Sequence, residues 1–484
     1  MSMPAPAASL GDAPAVTLAL ARFAADLKGD ALPADIKAKL GEFFLDYVRV
    51  ASIGAEMPWS GWADAYMAHL GAEGRSTVLF RSRRRDPVRA AFLNATYAGS
   101  IDADDTHVGA MLHPGSIVFS AALALADETG AGGKDFLAAV AAGYEAMIRV
   151  GLAIQPSHFR RGFQSTATCG GFGAAVAAAR LAFNGEKSAD RRIASSIGLV
   201  ASFAGGLTQF YRSGSTVKRI HAARAAENGV AATLLAWQGF DGPQDIIEGE
   251  NGFARAYADA ADLSVVTNAL GHKYLLHEVT VKGHACSARV QAAVEGILDL
   301  CWTHHIAPEQ AVDIFIGIPA VILGRLTHPR PVDVQAAQMS LPHSAALAVA
   351  MALFADEGFS LSVADYESSL HDPLVKQIEQ RVRCAVDPEV EAAMTAEAVP
   401  AKVIITLKDG TKHSVFVPAP KGSPSCPFAH ADHTARFRRE LANRWSERTC
   451  DAIIEIAENL IDLDKVACLT DLLATAPRAA GELD

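Results

Sequence analysis

Apolar residues recur at helical spacing through most of the first 270 positions. Ile36, Leu40, Phe43, Phe44 and Val48 mark one face of a helix over residues 33–51. Pro33 would sit in its first turn, where the missing N–H costs nothing. Residues 136–153, 172–183 and 222–238 repeat the amphipathic or fully apolar pattern, and residues 76–80 read as a short extended segment. The basic run 81–85 that follows leads to Pro87 and reads as a solvated turn. Beyond about residue 271 the pattern changes. Residues 312–318 alternate with β-branched and aromatic side chains and end at Pro319, as a strand does. Residues 402–407 and 413–417 flank Asp409-Gly410 and predict a hairpin. Residues 344–353 and 373–384 between them look helical. A stretch rich in Pro, Ser and Gly over 418–427 suggests a return crossing, after which 435–443 and 451–460 are again amphipathic helix.

The expected fold is therefore mainly α, with an α+β segment inserted in a helical chain. Its expected bounds are 12–270 for the first helical part, 271–423 for the inserted segment and 424–476 for the helical return.

Composition sharpens this. The chain has 484 residues, half of them hydrophobic and only 7% aromatic. Much of the apolar content is alanine, as in runs 174–179 and 222–226, which favours helix and lets helices approach closely. The mean hydropathy of +0.16 excludes a mainly disordered chain. The net charge of -11 argues against a nucleic-acid partner. The most apolar stretch, 136–154, is interrupted by Glu145 and Arg149, so no membrane span is expected. The opening residues lack a basic n-region and an apolar h-region, and no secretory signal is expected. Seven cysteines are scattered without CxxC spacing. Reduced thiols in a cytoplasmic protein are the simple expectation, not structural zinc or a disulfide framework.

Four segments carry candidate chemistry. Asp102, Asp104, Asp105, Thr106 and His107 precede His113-Pro114-Gly115. If the first piece is helical, Asp102, Asp105 and Thr106 share a face. His113 is then a candidate proton-transfer group, oriented by a carboxylate. The adjacent pair His304 and His305 reads as surface, and a metal site is not expected. Lys218, Arg219 and His221 cluster at a loop-to-helix junction suited to anions, and Arg224 reads as a structural ion-pair partner. Lys282 follows a strand-like run and precedes His284, Cys286 and Arg289. No local signature supports thiol catalysis at Cys286, which is expected to pack at a helix start. Gly170, Gly171 and Gly173 lack the strand and spacing of a dinucleotide loop and suit close helix packing. Gln164 and Thr166, just before them, are placed to face a cleft.

Taken in order, these pieces resemble the MmgE/PrpD family, whose members dehydrate 2-methylcitrate, decarboxylate cis-aconitate or epimerise iminodisuccinate. The resemblance is carried by Asn94 through His107, His113-Pro114-Gly115, Gly162 through Gly173, Lys218 through Arg224, Lys282 with Cys286, Ala336 through His343, and Pro420-Lys421-Gly422 before Pro424. It implies a homodimer of two-domain subunits, each mainly α with an α+β lid: a large all-helical domain formed by both chain ends and a smaller inserted α+β domain, with a small polycarboxylate substrate held between them. No organic cofactor or metal is implied. Asp102, Thr106, His113, Lys218 and Lys282 would be the catalytic residues. His113, oriented by Asp102, would be the acid or base, and the two lysines would neutralise carboxylates. Gln164, Arg219, His221, His284 and Arg289 are the expected substrate-binding residues. Dehydration of a 2-methylcitrate-like acid is the first expectation. Epimerisation, decarboxylation and a non-catalytic carboxylate-binding role are the alternatives. One departure matters: Gln164-Ser165 stands where many members have His-Pro, and Gln cannot relay a proton. A second is the stretch after Lys282, which lacks the usual Pro-aromatic-Pro and carries Arg289 instead.

Overall fold

The computed structural model describes residues 15–354 and 359–475. Small side chains set its central packing. Helices Gly133–Ile154, Ser165–Ala182 and His221–Trp237 lie side by side, with Ala174 to Ala179 all buried between them. Gly170 shows how close they come. A Cβ there would lie 2.8 Å from Ala225 Cβ on His221–Trp237, so any larger residue would force those two helices apart.

Helix Gly133–Ile154 is long and apolar enough to cross a membrane, and 94% of its most apolar window is buried inside the protein. Glu145 and Arg149, the charged residues in its middle, are used internally. Arg149 Nε donates to Glu145 Oε2 at 2.9 Å, and the rest of the guanidinium donates to the carbonyls of Val265, Val266, Asn268 and Lys273. Glu145 Oε1 accepts the Leu276 N–H at 3.0 Å. The pair ties the irregular segment 265–276 onto the helical core. A buried pair with every polar atom engaged in this way avoids the cost of an unpaired charge.

Buried apolar side chains form two clusters. The first runs from Val16 to Ala285, takes in Val363, and resumes from Phe437 to Leu473. Helices His430–Leu441 and Glu447–Glu458 pack there against Ala34–Gly54. The second runs from Cys286 to Ile405. It contains a four-stranded sheet in the order Val382–Val386, Ala311–Ile318, Ala401–Leu407, Lys412–Val417, with the first pair parallel and the others antiparallel. Helix Gln291–Thr303 covers its last two strands. The protein is thus mainly helical with small sheets.

Three local expectations are corrected. The segment 373–384 is helical only over Pro373–Glu379, after which Val382–Val386 joins the sheet beside Ala311–Ile318. The extended segment 76–80 shortens to Ser76–Thr77, paired with Arg84–Arg85. The basic run 81–85 is not simply solvated: Arg81 and Arg83 both pair with Asp64, and Arg84 pairs with Asp471.

Candidate active site

The segment that carries the acidic cluster is not helical. After helix Pro87–Ala98 the chain turns, and Asp102 takes a left-handed φ of 56°. Thr106–His107 then pairs antiparallel with Val279–Thr280, in the register Thr106 with Thr280. This short ladder is what brings Lys282 to the acidic segment. Lys282 Nζ lies 2.9 Å from both Oδ1 and the carbonyl oxygen of Asp102, and 3.6 Å from Asp104 Oδ1. From a 3-10 turn, Thr216–Ile220, Lys218 Nζ reaches the same Asp102 Oδ1 at 2.6 Å. One carboxylate oxygen therefore bridges two ammonium groups, while Asp102 Oδ2 is buried without a hydrogen-bond partner.

Electrostatics follow from this arrangement. Burial would raise the Asp102 carboxyl, but Lys218, Lys282, His113 and Arg219 overcome it and hold the group well below the usual carboxylate range. For Lys218, burial and the charges of Lys282 and Arg219 outweigh Asp102 and push the ammonium down. Burial also opposes the charge on Lys282, but Asp102 and Asp104 together push that ammonium up.

His113 is not oriented by Asp102. Its Nδ1 lies 2.9 Å from the carbonyl oxygen of Asp105 and 2.9 Å from Thr106 Oγ1. The nearest carboxylate is that of Asp104, at 3.7 Å. A carbonyl can only accept, so the bond to Asp105 fixes the proton on Nδ1 and leaves Nε2 unprotonated in the neutral ring. Burial, reinforced by the two lysines against the pull of Asp104, lowers this imidazole to about 4. The free side chain is therefore neutral near pH 7.

The carbonyl that holds His113 is itself held. Asp105 Oδ1 accepts the Gly115 N–H at 2.8 Å, and Oδ2 accepts the Tyr144 hydroxyl at 2.7 Å. Gly115 is required for this approach, because a Cβ would lie 2.7 Å from the Tyr144 hydroxyl and 2.8 Å from Asp105 Oδ2. Burial raises the Asp105 carboxyl to about 8, against the lowering effect of these two bonds. Asp105 is thus turned away from Asp102 and Thr106, not set on a common face with them. The His113 backbone is fixed from the other side, where its N–H donates to Thr166 Oγ1 at 3.2 Å.

A cavity of about 60 Å³ is lined by Asp102, Thr106, His113, Gln164, Lys218 and Arg289, closed by Phe159, Tyr211, Leu326 and Met339. Lys282 is fully buried behind Asp102. Gln164 Oε1 caps helix Ser165–Ala182 by accepting the Ala167 N–H at 2.7 Å. Three expected binding residues lie elsewhere. Arg219 is buried over the Trp59 ring and donates to Gln338 Oε1. His221 packs its ring edge against Phe210, and burial lowers it to about 4. His284 Nδ1 accepts the Leu361 N–H at 3.1 Å, and burial lowers it to about 3. Cys286 is buried at the start of the second cluster, and burial pushes its thiol up to about 12, which fits packing. Arg224 pairs with Glu227, and His304 stacks on His413 at the exposed rim of the sheet. No motif spacing in the sequence marks Phe159, Tyr211 or the carbonyl of Asp105.

Asp102, Asp104 and His113 also lie close enough together to ligate one ion. The two ammonium groups on Asp102 Oδ1 oppose a divalent cation there, and the set suits an anion better.

The fold is thus mainly helical, and its cavity sets a histidine beside a lysine and an arginine. The chain belongs to the MmgE/PrpD family: residues 18–266 match the MmgE/PrpD N-terminal domain and residues 284–462 the C-terminal domain. It is 26% identical to the cis-aconitate decarboxylase-like protein oryM of Aspergillus oryzae, over 95% of this chain and 96% of that protein. It is 24% identical to a cis-aconitate decarboxylase of Aspergillus terreus, over 95% of each. With the human cis-aconitate decarboxylase it shares 26% identity over 81% of this chain and 80% of the other.

Proposed function

We propose that the protein is a carboxy-lyase that removes carbon dioxide from a small unsaturated tricarboxylate of the cis-aconitate type. The observation that carries this reading is the division of labour around Asp102 and His113. Asp102 anchors two lysines, one of them lining the cavity, while His113 presents a single proton-transfer nitrogen. The names of the relatives favour decarboxylation over the dehydration first expected from the sequence.

In this reading the substrate carboxylates meet Lys218 and Arg289. The anionic substrate stabilises the imidazolium form of His113, which free protein disfavours. The C–C bond to the departing carboxylate then breaks, and its electron pair stays on carbon. That pair spreads through the adjacent alkene and its carboxylate, where Lys218 stabilises the developing charge. Carbon dioxide leaves, and His113 Nε2 delivers its proton to carbon. Thr106 holds the imidazole by its hydroxyl, and Lys282 holds Asp102 in place. We read the two apolar clusters as the helical domain and its lid, with the cavity between them.

Dehydration of a 2-methylcitrate-like acid remains the second reading. It needs a base for the C–H proton and an acid for the departing hydroxide. The lowered ammonium of Lys218 is the group that favours it. The two readings separate in one assay. Purified protein given cis-aconitate should release carbon dioxide, whereas protein given 2-methylcitrate should produce no new alkene absorbance. Alkene from 2-methylcitrate without carbon dioxide from cis-aconitate would reverse the assignment. Exchange of a substrate C–H in deuterated water without either product would point to epimerisation.

A further inference from the structure

A second cavity, of about 170 Å³, continues the first. The two share Phe159, Tyr211, Arg289 and Leu326 as a common wall. The second adds Arg160, Arg325 and His328 to its lining. The guanidinium carbons of Arg289 and Arg325 lie 5.2 and 4.8 Å from the centre of the Phe159 ring. Such contacts orient the planar groups without using their N–H donors.

These arginines differ from others in the chain. Arg81, Arg83, Arg84 and Arg161 each pair with a carboxylate. Among the described residues, Arg160, Arg289 and Arg325 have no carboxylate within ion-pair distance, and their side chains donate no hydrogen bond to the protein. In a chain of net charge -11, three guanidinium groups converging on one wall without an acid is a costly arrangement unless an anion visits it. Burial and the charge of Arg325 both disfavour the charged form of Arg289, and an anion between them would relieve that.

We propose that the arginines around Phe159 form a distal anion subsite. It selects substrates that carry a second anionic group, carboxylate or phosphate, beyond the reacting end. The inference rests on the reading that Lys218 and its cavity bind the reacting carboxylate. The reacting end lies at Lys218 and His113. A short apolar stretch crosses Phe159 and Leu326. The far anion lies against Arg289 and Arg325, where planar guanidinium groups suit bidentate contact.

Competitive binding to the full chain, measured by calorimetry, tests this. The probes are succinate, adipate, suberate, hexanoate and 6-phosphonohexanoate. Adipate or suberate should bind about tenfold more tightly than succinate or hexanoate, the gain expected of one additional charge-assisted contact. Preference for 6-phosphonohexanoate over adipate identifies phosphate as the far group, and the reverse identifies carboxylate. Arg325→Ala, at an exposed position, should abolish the advantage of the longer diacids, and Arg160→Ala/Arg325→Ala should do so too. A long-to-short ratio unchanged in both variants, or wild type that prefers succinate, overturns the subsite. Lys218→Met tests the underlying reading separately, since it should weaken succinate and adipate alike. Wild type that binds no probe at all overturns both.

Discussion

His113, which lines the cavity, has its Nδ1 2.9 Å from the carbonyl oxygen of Asp105, a bond that places the neutral ring's proton on Nδ1 and leaves Nε2 unprotonated. His113→Gln should therefore lower kcat by about 10²–10⁴-fold with little change in melting temperature. The pH dependence is more discriminating. The free imidazole titrates at about 4. If the imidazolium is the reacting form, kcat/KM falls as pH rises from 5 to 8, while kcat, which reports the substrate complex, falls only at higher pH. A flat kcat/KM over that range would mean that neutral His113 acts as a base, as dehydration or epimerisation would require.

Lys282 is fully buried and shares Asp102 Oδ1 with Lys218. Lys282→Met leaves Asp102 with half of its compensation. Unfolding in urea should show a loss of about 3 kcal/mol, the lower end for breaking a buried pair, since Lys218 remains. Adding Asp102→Asn should restore part of that loss without restoring turnover. Equal stability of Lys282→Met and wild type would mean that the bridge contributes nothing to the fold.

Gln164 has a structural duty as well as a place in the cavity wall, because its side chain caps helix Ser165–Ala182. Gln164→Ala should cost about 1 kcal/mol in a denaturant titration, as the loss of other N-caps does. Since Gln cannot transfer a proton, kcat should fall far less than in His113→Gln. A loss of kcat as large as that of His113→Gln would give Gln164 a part in the reaction itself.

Stability should peak near pH 6.5. His113, His158, His221 and His343 are lowered by burial to about 4, and His284 to about 3. Their folded forms are neutral, so their contribution is complete above the ordinary value of 6.5 and is lost as pH falls through 4. Asp105 and Glu295 act in the opposite sense. Burial raises them to about 8 and about 7, so their contribution is lost as pH rises through those values. Melting temperature measured from pH 4 to 9 should rise, pass a maximum and decline. Asp105→Asn should flatten the alkaline side. A melting temperature that climbs steadily to pH 9 would contradict the assignment of Asp105.

Periodicity made the helices legible. The face marked by Ile36, Leu40 and Phe43 is buried within Ala34–Gly54, and the residues 402–417 do form a hairpin. The segment around Asp102 was not legible, because its shape depends on Val279–Thr280, more than 170 positions away in sequence. The same holds for Val382–Val386, whose partner strand starts at Ala311. Local spacing sees neither pairing. Within the site, charge clustering located Lys218 but could not separate it from Arg219 and His221. Adjacent side chains on a turn diverge, and only Lys218 reaches the cavity. His284 lies away from the cavity for a related reason. The short ladder aims Lys282 at Asp102, while His284 turns to the segment at Leu361.

Carbon dioxide evolution from cis-aconitate by the purified protein tests the central claim most directly. The account predicts stoichiometric carbon dioxide and a dicarboxylic alkene, detected by headspace analysis and proton NMR, with both lost in His113→Gln and Lys218→Met. Absence of carbon dioxide from wild-type protein, or its release at an undiminished rate by His113→Gln, would contradict the account.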